Sequence, residues 1–229
     1  MFHSIAFYYA TILSAVSIKE NVANIRERIS AAAERAGRDP AAVKIVAVVK
    51  NVPLEKIYEA LEAGVTDIGE NRVQEAAARY QAIKEKYPAV TRHFIGHLQR
   101  NKVGQALNMF DIIQSVDSER LAEEIDRAAV QPVPVLIEVN TSGEPAKFGS
   151  EPDKTLELVR AVSALAKVKV LGLMTVGPLA GEVRPAFRKL RELRELAGLR
   201  YLSMGMTGDF ETAIEEGADL VRIGRGIFQ

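Results

Sequence analysis

Short apolar, β-branched runs alternate with amphipathic helical patterns along almost the whole chain. Eight runs have strand length: Val43–Val49, Val65–Ile68, Arg92–Ile95, Asp111–Val116, Val133–Val139, Val168–Met174, Tyr201–Met204 and Leu220–Ile223. Several are too apolar for a sheet with one wet face, so they predict parallel strands buried on both sides. The segments between them carry helix signals. Pro53 suits the first turn of a helix over Leu54–Ala63, which Gly64 stops. Asn71 with Gln74 makes a capping-box-like start to Val73–Lys86, and Ser150 with Asp153 does the same for a helix running through Ala166. Arg184–Leu196 ends near Gly198, and Phe210–Glu216 ends at Gly217.

Eight strands alternating with helices leave two architectures, an open doubly wound sheet or a closed barrel. The strand count and the absence of G-x-G-x-x-G after the first strand favour a single-domain (β/α)₈ TIM barrel spanning 18–229. No helix follows the eighth strand in its usual place, and the amphipathic stretch Ile18–Ala36 is expected to cover that slot. Residues 1–17 read as an apolar extension outside the barrel. They lack the positive start of a secretory signal, are too short for a membrane span, and are interrupted by Ser4, Thr11 and Ser14.

Composition adds exclusions. With 30 basic and 30 acidic residues, the balanced charge gives no global pull toward nucleic acid or an acidic membrane. The sequence has no cysteine, which removes disulfides, thiolate metal sites and cysteine nucleophiles. That absence fits a reducing compartment, and a cytoplasmic location is expected. His93 and His97 do not share a helical face, so no metal site is expected from them.

In such barrels the chemistry sits at the carboxyl ends of the strands. Gly205, Thr207 and Gly208 follow the seventh strand, and Gly224, Arg225 and Gly226 follow the eighth. These are the common phosphate-binding loops of the fold: glycines let backbone N–H groups converge on an anion, while Ser203, Thr207 and Arg225 add donors. Asp209 and Glu211 would oppose a dianion, which favours the strand-eight loop. Lys50 ends the first strand, where an amine partly desolvated at the barrel mouth becomes a nucleophile for a Schiff base. Arg222 lies inside the eighth strand, between Val221 and Ile223. It either pairs with a barrel carboxylate or faces the nitrogen of a bound ring. Because arginine only donates, it would keep a pyridine nitrogen unprotonated and weaken the ring as an electron sink.

The stretches KIVAVVKN, AGVTDIGENRVQE, HFIGHLQRNKV, IIQSVDS, VLIEVNTSGEPAKFG, LGLMTVG and LSMGMTGDFETAIEEGADLVRIGRGIF carry a resemblance across nearly all of Ile18–Phe228. The chain resembles the pyridoxal phosphate homeostasis protein family, small single-domain relatives of alanine racemase. The resemblance implies a fold-type III barrel with pyridoxal 5′-phosphate (PLP) as a Schiff base on Lys50. It also implies phosphate contacts at Ser203, Thr207, Gly224 and Arg225, Arg222 beside the pyridine nitrogen, and Asn71 and Met174 near the ring. Three positions depart from the family pattern: Val49 for a common serine, Asn51 for a common threonine, and Arg225 where Ser or Thr is more frequent.

The family role implied is to bind and release PLP and to influence vitamin B6 balance, without established catalysis and with PLP-dependent apo-enzymes as candidate recipients. The rival is a small PLP-dependent amino-acid racemase, which needs an acid and a base on opposite faces of the α-carbon. Alanine racemases take the opposing tyrosine from a C-terminal domain of a partner subunit. This sequence stops soon after the eighth strand, so neither that tyrosine nor that dimer contact is expected, and a monomer is. A third class, a cofactor-free barrel enzyme with an aldolase-like lysine, would use the same phosphate loops.

Overall fold

The computed structural model describes residues 16–229, so the reading of 1–17 as an extension lies, apart from its last two residues, outside the described residues. Eight parallel strands form a closed barrel in sequence order: β1 Lys44–Val48, β2 Asp67–Glu70, β3 Thr91–Phe94, β4 Ile112–Val116, β5 Val133–Glu138, β6 Val168–Met174, β7 Tyr201–Ser203 and β8 Leu220–Ile223. The barrel closes where Val46 of β1 sits opposite Arg222 of β8. The helices are α1 Ile18–Arg35, α2 Leu54–Glu62, α3 Val73–Lys86, α4 Val103–Leu107, α5 Glu119–Ala128, α6 Thr155–Ser163, α7 Arg184–Ala197, α8 Phe210–Glu215 and α9 Arg225–Phe228.

Packing divides into two regions. The large core lies between strands and helices, with Phe94, Phe187, Phe210 and Leu190 fully buried there. A small apolar cluster, Val46, Leu136, Met174 and Leu220, stands apart from it, packed against Leu171, Val176 and Tyr201. Strand alternation accounts for the division: on β1, Val46 belongs to the small cluster and Ala47 to the large one.

α1 covers the slot beside β8, as its pattern predicts. Ser17 accepts from the Glu20 amide and Glu20 reaches back to Ser17, a complete capping box, so Ser17 belongs to the barrel domain. Arg28 pairs with Glu211, Arg35 with Glu215, and Arg38 with Asp219 and the carbonyls of Ile214 and Ala218. Asn21 donates to the Ile227 carbonyl, and Ile25 lies beneath Gly226. The helix therefore supports the loop after β8 as well as closing the barrel.

Two expected caps do not form. The N-cap of α3 is Arg72, with no side-chain cap, because Arg72 is still extended at φ −138° and ψ 126°, which moves the helix start beyond the reach of Asn71. α6 begins only at Thr155, after a 3₁₀ turn over Pro152–Lys154, and the Ser150 hydroxyl donates to the Glu151 carbonyl instead of capping.

Ile25 is 3 % exposed, so Ile25→Ala should cost about 2–5 kcal/mol. Urea unfolding should show a lower midpoint with an unchanged slope; a loss below about 1 kcal/mol would contradict this account of the helix.

Candidate functional site

The carboxyl end of the barrel brings together most of the residues singled out from the sequence. β1 ends at Val48, and Lys50 stands in the turn that follows it, at the carboxyl end of the barrel. Lys50 is exposed, so the burial expected to desolvate its amine is not present. It forms no ion pair or hydrogen bond among the described residues. Its turn is well defined. Asn51 takes a left-handed conformation at φ 56°, which asparagine tolerates far better than a β-branched residue would. Val52 N–H returns to the Val49 carbonyl. Arg79 of α3 donates to the Val52 carbonyl at 2.8 Å and to Glu70 at 2.7 Å, which ties the lysine turn to the end of β2. Burial pushes the Glu70 carboxyl up, and the Arg79 hydrogen bond opposes that.

Lys50 and Asn51 share a surface pocket with Lys56, Gly224, Arg225 and Phe228. The loops after β7 and β8 meet beside it. Gly226 N–H donates to Thr207 Oγ1 at 3.2 Å, so the Thr207 hydroxyl accepts there and keeps its own proton for a ligand. The amides of Thr207, Gly208, Gly224 and Arg225 donate to no acceptor among the described residues. Gly205 at φ 91° makes the turn into this loop, where a Cβ would lie 2.5 Å from that of Ala213. The two opposing carboxylates are occupied: Glu211 pairs with Arg28, and Asp209 accepts from the Met206 amide. Four amides, one hydroxyl and the exposed Arg225 make this junction a suitable anion site.

Arg222 lies deeper, 4 % exposed. Its Nη1 donates to Ser203 Oγ at 2.7 Å and its Nη2 to the Thr175 carbonyl at 2.7 Å. No carboxylate lies within ion-pair distance of it among the described residues. Burial lowers its pKa to about 10, against the pull of Glu138 and Asp209. Glu138, at the end of β5, is raised to about 7 by burial, with Arg222 opposing and Asp117 adding to the rise. Met174, 1 % exposed, ends β6 opposite Glu138.

Ser203 is brought to the site but not to the role expected of it. Its single proton goes to Gln114 Oε1 at 2.6 Å while it accepts from Arg222, so none remains for a phosphate. Asn71 caps nothing; its Oδ1 is buried with no partner, which leaves a polar atom for a ligand to satisfy. Gly96 allows the β2 and β3 ends to meet, since a Cβ there would lie 2.2 Å from the Asn71 carbonyl oxygen. His97 stacks on Phe148 at 4.0 Å and sits 3.5 Å from Asp117. Among the described residues no cluster of histidine and acidic side chains fits a metal ion.

The sequence reading missed Gln114, Glu138 and Arg79. Gln114 and Glu138 carried a usable signal, as polar residues in apolar runs at strand positions whose alternation faces inward. Arg79 acts from a helix and had none.

Comparison with known proteins identifies the family and the fold. The sequence profile of the alanine racemase N-terminal domain matches residues 21–229. The pyridoxal phosphate homeostasis protein of Aquifex aeolicus is 45% identical over 91% of this chain and 96% of its own length. That of Escherichia coli K12 is 37% identical over 92% and 95%. The structure of PipY from Synechococcus elongatus, solved with PLP bound, superimposes with a TM-score of 0.80 at 35% identity, covering 93% of this chain and all 100% of that one. Alanine racemase of Corynebacterium glutamicum, at 17% identity and a TM-score of 0.65, shares the fold over 59% of its length.

Glu138 supplies a pH test. A carboxyl raised from 4.5 to about 7 by burial binds a proton in the folded state that the unfolded chain has released. Its stability contribution is present below pH 4.5 and is lost as pH rises through about 7, a loss of roughly 3 kcal/mol by pH 8. Glu138→Gln should therefore raise Tm at pH 8 and leave it nearly unchanged at pH 4.5; equal effects at both would contradict the burial account. Asn51→Val should cost about 1–2 kcal/mol in the same assay, and Asn51→Gly much less.

By profile, identity and structure, this chain belongs to the pyridoxal phosphate homeostasis protein family, built on the alanine racemase N-terminal barrel.

Proposed function

We propose that this protein binds PLP at the carboxyl face of its barrel, holds it as a Schiff base on Lys50, and serves intracellular vitamin B6 homeostasis as a carrier. The observation that carries the reading is the buried Arg222: a cation without a carboxylate partner needs an acceptor, and a pyridine nitrogen is one. The residues present fit the cofactor. The Thr207 hydroxyl, the free amides of Gly224 and Arg225, and the Arg225 side chain would hold the phosphate. Asn71, with its unpartnered Oδ1, and Met174 would border the ring. Ser203 serves Arg222 instead of the phosphate. When bound, the cofactor supplies an aldehyde with which a lysine amine can condense, releasing water.

A carrier role suits this chain better than racemisation. Arg222 donates and cannot protonate the ring, so the carbanion chemistry a racemase needs is poorly served. The described tyrosines stand away from the mouth: Tyr58 packs on Tyr87, Tyr80 lies under Arg92, and Tyr201 begins β7 at the opposite end. One observation favours a residual racemase reading, since Glu138, near neutrality at the end of β5, could move a proton. Cytoplasmic location accords with a sequence free of cysteine, and no described helix is long and apolar enough to cross a membrane. A monomer is the proposed state, and PLP-dependent apo-enzymes are the proposed recipients.

With added PLP the protein should gain a visible absorption band. Borohydride should bleach it and add the mass of reduced cofactor at Lys50, and Lys50→Ala should lose both the band and the label. A colourless wild-type protein, or label on another lysine, would overturn the reading. Incubation of the loaded protein with single amino-acid enantiomers should give no inversion above the rate with free PLP.

A further inference from the structure

A continuous chain of buried hydrogen bonds crosses the barrel interior below the site. From Arg222, Nη1 donates to Ser203 Oγ at 2.7 Å, and Ser203 donates to Gln114 Oε1 at 2.6 Å. Gln114 Nε2 lies 2.8 Å from His93 Nδ1, and His93 Nε2 lies 3.0 Å from Asp67 Oδ1. Thr66 donates to the other Asp67 oxygen at 2.7 Å, and Lys44 stands 3.9 Å away. Asp67, His93, Gln114, Ser203 and Arg222 are all 4 % exposed or less. They come from β2, β3, β4, β7 and β8, so the chain links both ends of the barrel and several of its staves.

Chemistry at the two ends fixes the same direction. Arginine has no acceptor, so Ser203 must accept from Arg222 and give its proton onward. Its partner on Gln114 is then the carbonyl, and the amide NH₂ faces His93. At the other end, burial pulls the Asp67 carboxyl up, but the His93 and Thr66 hydrogen bonds more than offset this and leave it below the ordinary carboxylate value. As an anion it only accepts, so His93 Nε2 carries a proton, and in the neutral ring Nδ1 accepts from Gln114. Every donor points from the cation toward the anion. A proton on Nδ1 would force the Gln114 amide to turn over, and Ser203 would then meet two donors and turn its own hydroxyl away from Gln114.

We propose that His93 is a positioning residue for Arg222: through Gln114 and Ser203, its Nε2-protonated tautomer holds the guanidinium in place for the ring nitrogen of the ligand. The proposal rests on the PLP reading above and adds to it Gln114 and His93, three and four hydrogen bonds removed from the ligand.

The test separates a positioning role from a merely structural one. In ¹⁵N-histidine-labelled wild-type protein, His93 should show a protonated Nε2 and a hydrogen-bonded, unprotonated Nδ1 at neutral pH. With the sequence holding three histidines, His93→Gln assigns the signal. Binding is then measured for PLP and for its 1-deaza analogue, in which C–H replaces the ring nitrogen. His93→Leu and Gln114→Leu should each weaken PLP about tenfold or more and leave the deaza analogue nearly unchanged. His93→Gln, which can still donate to Asp67 and accept from Gln114, should retain most of the wild-type preference for PLP. Gln114→Leu spares the His93–Asp67 pair, so it tests the chain if His93→Leu fails to fold. An Nδ1-protonated ring, equal losses for both ligands, or no loss for either would overturn the inference while the cofactor reading stands. Wild-type protein that takes up neither ligand would sink both.

Discussion

A guanidinium fixed inside a barrel, its charge unanswered by any touching carboxylate among the described residues, is the constraint around which this molecule is arranged. Removing a cation from water costs several kcal/mol unless its donors are satisfied and its charge is balanced. Here the balance is partial. Ser203 and the Thr175 carbonyl take two N–H groups, while Glu138 lies close enough to feel the charge but is itself pushed toward neutrality by burial. An apolar side chain at the Arg222 position would suit the small cluster of Val46, Leu136, Met174 and Leu220 better. A charge retained in such surroundings points to an acceptor outside the protein's own atoms, which is why Arg222 carries more of the functional argument than Lys50.

The rest of the site can be ordered by its distance from that charge. Beneath it the polar chain through Ser203, Gln114 and His93 ends at Asp67, so the arginine is held by groups that cannot rotate independently. Beside it the loops after β7 and β8 join through Gly226 and Thr207, and four of their amides have no acceptor among the described residues. Their position depends in turn on α1, whose Ile25 lies beneath Gly226 and whose Arg28 occupies the Glu211 carboxylate that would otherwise oppose an anion.

The architecture was legible because strand burial leaves a strong mark. Runs such as IVAV and VLI are too apolar for anything but a strand covered on both faces, and Val73–Lys86 and Val168–Met174 appear in the structure with the limits their patterns suggested. Placement at the barrel's carboxyl end was legible where the fold dictates it, as for Lys50, Arg222 and the two glycine loops. It was not legible where a polar side chain could find more than one partner. The hydroxyl of Ser203 could have served a phosphate or the interior, and the choice lay with Gln114, 89 residues away in sequence. Asn71 could have capped a helix, yet the extended Arg72 delays the helix start and leaves Asn71 with an unpartnered oxygen. Such choices depend on tertiary register, which residue type and spacing do not encode.

Lys50 and Arg222 occupy opposite extremes of exposure, and that difference bears on how a carrier could work. The groups that would recognise the ring and the phosphate are preorganised by buried hydrogen bonds and tied loops, so little ordering need accompany binding. The amine that would form the covalent link sits exposed on a turn that Asn51 bends and Arg79 ties down through Val52. A Schiff base at such a place is open to water and to competing amines, which can hydrolyse or exchange it without unfolding any of the floor beneath. An enzyme that turns over a reactive carbanion gains from the reverse arrangement, with the reacting bond enclosed and water excluded. On the proposed reading, a floor tied by buried hydrogen bonds beneath an exposed amine would suit taking up and giving back a cofactor more than transforming a substrate on it.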